Sequence, residues 1–247
     1  MVRLARFSLV VAALAAIIGP AAVAQDLSLE QVIDNHYQAL GGLDKVKSVV
    51  SRRMVGTMTM QPAGEAAFTL LSKRPAKARM EITVQGQTGI QAFDGETGWM
   101  FMPFMGQTVP EVMPPDMANS MKEEADFDGP LVDYREKGHS LTLIGIGDVE
   151  GTATYELELT HRNGEVTTYH LNAESFLPML TESDRSVQGT QLHVQTILSD
   201  YREVNGMMIP HSIQVIQDMG SQKLNIESIE HNIEIDDAVF VMPAGNP

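Results

Sequence analysis

The chain has 247 residues and no cysteine, and its 17 Lys and Arg against 32 Asp and Glu give a formal net charge of −15. This acidic balance disfavours binding to nucleic acid and tight adhesion to anionic membranes, because both attract basic proteins. The lack of cysteine excludes disulfides, thiol redox chemistry and cysteine nucleophiles.

Residues 1–24 are predicted to be a cleavable secretory signal peptide. Two arginines precede an apolar run from Phe7 to Ile18, which is followed by a Gly-Pro breaker pair and a small-x-small cleavage site ending at Ala24. The apolar run is too short to cross a bilayer, which needs about 20 residues. We expect cleavage after Ala24, leaving residues 25–247 as one exported domain. Without a cysteine, this domain has no site for a lipoprotein anchor.

The exported part is predicted to open with an amphipathic helix and then to change to strands. Ser28 and Gln31 fit a capping box, and Gly41 and Gly42 fit a helix end. From there to about residue 102 the apolar residues follow a period of two. The predicted strands in this part are 54–60, 66–71, 78–84, 90–93 and 99–102.

Residues 103–130 interrupt the strand pattern with four prolines, and we expect a helix from Pro114 to about Ala125. Further strands are predicted at 141–144, 154–160, 166–171, 179–182, 191–198, 207–217 and 222–233, with a tight hairpin at Asn205 and Gly206. The predicted fold class is mainly β (α+β): one large, strongly curved antiparallel sheet, a half-barrel of about eleven strands. The N-terminal helix and the 103–125 insert are expected to cover its concave face.

No catalytic or metal-binding pattern emerges from the sequence. The seven histidines form no i, i+4 pair, and the chain has neither a Gly-x-Ser-x-Gly elbow nor a phosphate loop. The acidic residues between 123 and 128 do not match a calcium loop and are interpreted as a solvated face. We therefore expect a protein that is not an enzyme and that needs no metal and no cofactor.

Methionine is unusually frequent, with 16 in the chain. Met113, Met117 and Met121 recur every four residues, which predicts one stripe along a helix. The candidate apolar ligand-binding residues on strands and on this helix are Met58, Met60, Phe68, Leu70, Met80, Ile82, Met100, Met102, Met113, Met117 and Met121.

Three interpretations of these methionines compete: an ordinary core, a flexible cavity for a lipid-like ligand, and a Cu(I) site. Copper is disfavoured because the spacing of Met58 with Met60 and of Met100 with Met102 follows from the strand pleat. The cavity is favoured because a sheet of about eleven strands encloses more volume than one short helix fills. A methionine-striped helix flanked by prolines is typical of a movable lid.

Several stretches resemble the LolA/LolB-like family of outer membrane lipoprotein-sorting proteins. They are ALGGLD (39–44), FDGETGW (93–99), FDGPLVDYREKG (127–138), VEGTATYELEL (149–159), DYREVNGMMIPH (200–211) and DAVFVMP (237–243). The resemblance implies a half-barrel that holds acyl chains while they cross the periplasm. It also implies an arginine that couples binding to movement of the lid, for which Arg52 and Arg53 are the candidates.

The first hypothesis is therefore a periplasmic carrier that shields lipoprotein acyl chains or a related lipid between the inner and outer membranes. Its partners would be an inner-membrane donor complex and an outer-membrane acceptor, with no nucleic acid. The alternative is an envelope sensor or scaffold of the same fold that binds a protein partner.

Overall fold

A computed structural model describes residues 26–60, 64–187, 190–218 and 220–245. The predicted signal peptide lies outside these residues. The helices in the described part are α1 (Leu29–Ala39), α2 (Leu43–Ser48) and α3 (Pro115–Glu124). The strands are β1 (Ser51–Met60), β2 (Gly64–Lys73), β3 (Lys77–Val84), β4 (Gln87–Phe93), β5 (Gly98–Phe101), β6 (Glu111–Val112), β7 (Ser140–Val149), β8 (Thr152–Thr160), β9 (Val166–Asn172), β10 (Pro178–Val187), β11 (Thr190–Val204), β12 (Met207–Gln217) and β13 (Gly220–His231).

The helix cap, the tight hairpin and the helix of the insert form where the sequence predicts them. Ser28 caps α1 and forms the capping box with Gln31. The two-residue turn at Asn205 and Gly206 has φ values of 52° and 76°, the pair of positive angles that a tight hairpin with the twist of its strands requires. The expected helix at the insert is confirmed as α3, which begins with a proline in its first turn.

All the strands belong to one open antiparallel sheet with the order β6-β5-β4-β3-β2-β1-β13-β12-β11-β10-β9-β8-β7. This confirms the predicted fold class, although the described residues contain thirteen strands rather than about eleven. The difference includes the two-residue β6, which is too short to show a period in the sequence. The short helix α2 was also not predicted, because six residues without a side-chain cap carry little periodic signal.

The strand order determines the path of the chain. β1 and β13 pair in the middle of the sheet, whereas β6 and β7 lie at opposite edges. The chain therefore starts in the middle, reaches one edge at β6, crosses to the other edge and returns strand by strand to the middle. We call residues 113–139, which make this passage, the crossing segment.

One face of the sheet carries α1, α2, α3 and the crossing segment, and we call it the concave face. Helix α1 packs with Leu131 and Tyr134 of the crossing segment on Tyr155, Leu157 and Leu159, at the β7–β9 end. Helix α2 packs on the middle of the sheet, next to Met54, Met58 and Phe68. Helix α3 packs on Ala78 and Phe93, at the β3–β5 end.

The C-terminal residues cover the opposite face of β4 and β5. Trp99 is fully buried there, and its Nε1 donates a hydrogen bond to the carbonyl oxygen of Phe240 at 2.7 Å. Asp237 accepts hydrogen bonds from Lys73 and Lys77 at 2.6 and 2.7 Å. The two lysines hold the pKa of Asp237 down to about 2, from an ordinary value of 3.8.

The ion pairs of Asp237 with Lys73 and Lys77 should contribute to the free energy of unfolding in a way that depends on pH. A depressed carboxylate pKa stabilises the folded protein above about pH 4, and that contribution disappears as the pH falls towards about 2. The variant Asp237→Asn should therefore melt at a lower temperature than the original protein at pH 7, and the two melting temperatures should converge near pH 2. A difference that stays constant over this range would contradict the assignment. Circular dichroism melts at pH 7, 4 and 2.5 provide the measurement.

Candidate functional site: the concave face

The predicted ligand-binding residues on the first three strands share the concave face. Strand pairing places Met54 beside Leu70, Gly56 beside Phe68 and Met58 beside Ala66. The next pair of strands places Leu70 beside Met80 and Phe68 beside Ile82. Met58 and Phe68 are buried, and Leu70, Met80 and Ile82 are partly buried around them. The side chain of Met60 lies outside the described residues.

The two methionines of the β5 region lie on the same face. Met100 is paired with Gln91, the neighbour of Met80, and packs partly buried against the cluster under α3. Met102 is buried, and a Cβ added to Gly89 would be 2.6 Å from its sulfur. A larger residue at position 89 would therefore displace the side chains of Met102 and Phe104, which lie against the sheet there.

The predicted stripe of Met113, Met117 and Met121 is wrong for Met117. Met113 and Met121 are both 5 % exposed, whereas Met117 is 38 % exposed. Met117 lies inside α3 but at the margin of its packed face, and Met113 precedes the helix, which begins at Pro115. The buried side of the helix consists of Ala118, Met121 and Ala125, at the spacing of a helical face.

The middle of the crossing segment is fastened to the sheet by an ion pair. Both guanidinium Nη atoms of Arg74 donate to the carboxylate of Asp128, at 2.5 and 2.6 Å. Arg74 also donates to the carbonyl oxygens of Val46 and Val49, next to α2. This bidentate, partly buried pair joins the crossing segment, β2 and α2 at one point.

Two further polar contacts hold the part of the crossing segment that follows Asp128. Lys137 donates to the carboxylate of Asp126 and to the carbonyl oxygen of Gly129. These bonds connect the end of the crossing segment to its middle. The hydroxyl of Tyr37 in α1 donates to the carbonyl oxygen of Leu131 at 2.7 Å. Burial raises the pKa of Tyr37 to about 12, so that its hydroxyl stays protonated as a donor.

The structure separates the two candidate arginines. Arg53 points to the opposite face, where its Nη1 donates to Glu230 at 2.9 Å. Arg52 lies on the concave face under the ring of Phe127, whose centroid is 5.0 Å from its guanidinium carbon. Burial lowers the pKa of Arg52 to about 10. Arg52 is therefore the arginine that contacts the crossing segment.

An open groove of about 600 Å³ lies at the turn between α1 and α2, and none of the candidate ligand-binding residues lines it. Gly41 to Lys45 and Ser48 line it. Lys45 closes one side by donating to the carbonyl oxygen of Gly206 at 3.1 Å. The side chains of the methionine face pack against residues of α2, α3 and the crossing segment.

The sequence did not point to Arg74, Phe127, Asp128 or His231 as residues of this face. Asp128 was interpreted as part of a solvated acidic cluster, because its partner Arg74 is 54 positions away. The FDGPLVDYREKG stretch was a signal for it, since Phe127 and Asp128 are its first two residues.

Among the described residues, no helix has the length and apolar character that crossing a membrane requires.

Comparison with solved structures gives the same fold. A LolA superfamily protein from Nitrosomonas europaea matches with a TM-score of 0.57 and 16% identity, over 87% of this chain and 98% of that chain. A proposed outer membrane lipoprotein-sorting protein domain from Vibrio parahaemolyticus matches with a TM-score of 0.58 and 12% identity, over 85% and 96%. A DUF1329 family protein from Desulfovibrio piger matches with a TM-score of 0.55 and 12% identity, over 86% and 96%.

The chain therefore has the fold of LolA superfamily proteins, which confirms the resemblance at the level of the fold. No family model matches the sequence. No curated protein sequence matches it either.

The packing of α3 leads to a test with a matched pair of methionines. Met121→Ala removes a buried side chain from the contact between α3 and the sheet, and should lower the free energy of unfolding by about 2 to 3 kcal/mol. Met117→Ala, one turn earlier on the exposed side, should change it by less than about 0.5 kcal/mol. Urea denaturation of both variants measures these changes. Equal effects would mean that α3 is rotated from the described position.

Proposed function

We propose that this protein is a non-catalytic carrier of acyl chains in the cell envelope. One observation carries the proposal: a sheet face rich in methionine, continuous from β1 to β5, is covered by a segment of the same chain that packs on it through methionine and alanine. Burial of an acyl chain in a membrane is favourable by about 0.8 kcal/mol per CH₂. A protein that extracts the chain must therefore offer an apolar surface that binds it comparably well. Displacing α3 from the sheet would provide such a surface.

The side chains under α3 suit a cover that opens. Unbranched thioethers repack around guests of variable shape at little cost, whereas branched side chains do not. Gly98, Ala118 and Ala125 let the helix approach the sheet closely while keeping the apolar contact small. A small and adaptable contact is easier to replace by a ligand than a large and rigid one.

The carrier would work in the periplasm, between an inner-membrane donor and an outer-membrane acceptor. The predicted signal peptide supports export to the periplasm. Loss of its two arginines would leave 15 Lys and Arg against 32 Asp and Glu, a net charge of −17, which supports release from anionic membrane surfaces. Similar folds include a proposed lipoprotein-sorting domain, which supports lipoprotein acyl chains or a related lipid as the cargo.

A disulfide lock tests whether α3 is the lid. A Cβ at position 98 would lie 3.3 Å from the Cβ of Ala118, close to the separation of about 3.5–4.5 Å that a disulfide needs. The nearest other atom is the flexible sulfur end of Met113. In the double variant Gly98→Cys and Ala118→Cys, oxidation should slow uptake of a fluorescent fatty-acid probe by at least about tenfold. Reduction should restore the original rate.

The two single-cysteine variants serve as controls, since neither can close the lock in a chain that has no other cysteine. Unchanged uptake by the oxidised double variant would contradict a lid at α3. Native mass spectrometry of protein purified without detergent provides an independent measurement. A spectrum that shows only empty protein, together with no uptake of the probe, would contradict the carrier function itself.

The Arg74–Asp128 pair leads to a second test, on the same crossing segment. Asp128→Asn removes the carboxylate that receives both Arg74 nitrogens, and a hydrogen bond to a charged group contributes about 1.5–3 kcal/mol. The variant should therefore take up the probe at least about tenfold faster, because the closed form loses this contact. Asp133→Asn is the matched control. Its partner Lys47 is exposed, so the change should be less than about twofold.

A further inference from the structure

Arg52, a partly buried cation on the concave face, has one buried nitrogen without a hydrogen-bond partner in the described part of the chain. The Nε atom of Arg52 is shielded from solvent and has no hydrogen-bond partner among the described residues. The nearby carboxylate of Asp128 is occupied by both Nη atoms of Arg74. Besides burial, the charges of Asp128 and Arg74 act on the pKa of Arg52 in opposite directions. Among the described residues, Arg52 thus forms no direct ion pair.

His231 offers a second unused group beside it. It is the cross-strand partner of Arg52, so the two side chains lie next to each other on the same face. Its Nδ1 faces the side-chain Nδ2 of Asn205 at 3.5 Å. Its Nε2 is buried and has no hydrogen-bond partner within the described part of the chain. With Asn205 donating to Nδ1, the proton of the neutral imidazole lies on Nε2, which is then a donor.

The charges of this group leave room for one anion. Arg52 and Arg74 are cations and Asp128 is an anion, while burial and the charge of Arg52 lower the pKa of His231 and keep it neutral at pH 7. One positive charge therefore remains uncompensated. Two buried donors beside an uncompensated cation are complementary to an oxyanion, which accepts both hydrogen bonds and balances the charge.

We propose that Arg52 and His231 bind an oxyanion at the head of the lipid cargo, either a carboxylate or a phosphodiester. This inference rests on the proposed carrier function. It specifies the cargo further, because it requires a lipid with a negatively charged head rather than uncharged acyl chains alone. Arg52, Met54, Gly56 and Met58 follow one another on the concave side of β1. A head group at Arg52 therefore places its chain along the methionines.

The experiment compares lipids that differ only in the charged group. The first pair is fluorescent anthroyloxy-stearic acid and its methyl ester, whose affinities differ only through the carboxylate. The second pair is phosphatidylglycerol and diacylglycerol, which differ by the phosphodiester head group. Their affinities are measured by displacement of the ester probe. At least one anionic lipid should bind at least about tenfold more tightly than its uncharged counterpart, the factor expected for hydrogen bonds to charged groups. The pair that shows the difference identifies the source of the oxyanion.

Point variants then test whether Arg52 and His231 are the residues that bind the charged group. Arg52→Met should reduce the ratio of the two affinities, anionic lipid to uncharged counterpart, to about one, whatever the change in the affinity for the ester. His231→Gln should weaken binding of the anionic lipid alone. Arg53→Met on the opposite face is the matched control and should change neither affinity. The comparison of lipids on the unmodified protein keeps the proposal testable even where Arg52→Met does not fold.

The outcomes separate this proposal from the carrier function. Equal binding of the acid and its ester, and of both glycerolipids, would overturn the oxyanion site and leave the carrier intact. Equal loss of the anionic and uncharged lipids in Arg52→Met would overturn it as well, since Arg52 would then only shape the apolar face. No binding of any of the four lipids would overturn both proposals.

Discussion

The structure depends on one constraint: the chain leaves its open sheet at one edge and must resume at the other. β6 and β7 follow each other along the chain, yet they lie at the two ends of the strand order. The residues between them therefore pass from one edge to the other, and their packing shows that they do so over the concave face. The cover of that face is thus part of the connectivity and is tethered at both ends. Whatever lies between the cover and the sheet is enclosed by the chain itself.

The two ends of this cover differ in the stiffness of their packing. At the β7–β9 end, Leu131 and Tyr134 pack under α1 against leucines and Tyr155, and Tyr37 adds a hydrogen bond. At the β3–β5 end, α3 contacts the sheet through alanine and methionine. Methionine adapts its shape and alanine contributes little area, so this end is the easier one to displace. The α1 end would then act as the fixed side about which α3 moves.

The sequence predicted the fold more fully than the site. Periodicity, caps and turn residues act over a few positions, and they predicted the strands, α1, α3 and the hairpin at Asn205. Strand alternation also placed Met58, Phe68 and Met80 on one face correctly, because the pleat fixes it. Met117 was misplaced because the packed face of α3 lies at Ala118, Met121 and Ala125, which the methionine spacing alone does not indicate. The Arg74–Asp128 pair could not be predicted, since it depends on the path of the crossing segment.

The position of Arg52 connects the ligand site to the cover. Phe127 of the crossing segment lies over two guanidinium groups, with its ring centroid 5.0 Å from Arg52 and 4.8 Å from Arg74. The attraction between a cation and an aromatic face is strongest when the cation is desolvated and uncompensated. If an oxyanion binds at Arg52 as proposed, it would neutralise one of the two cations under Phe127 and weaken one of the contacts between the crossing segment and the sheet. Binding of a charged head and loosening of the cover would then be linked through the ring of Phe127.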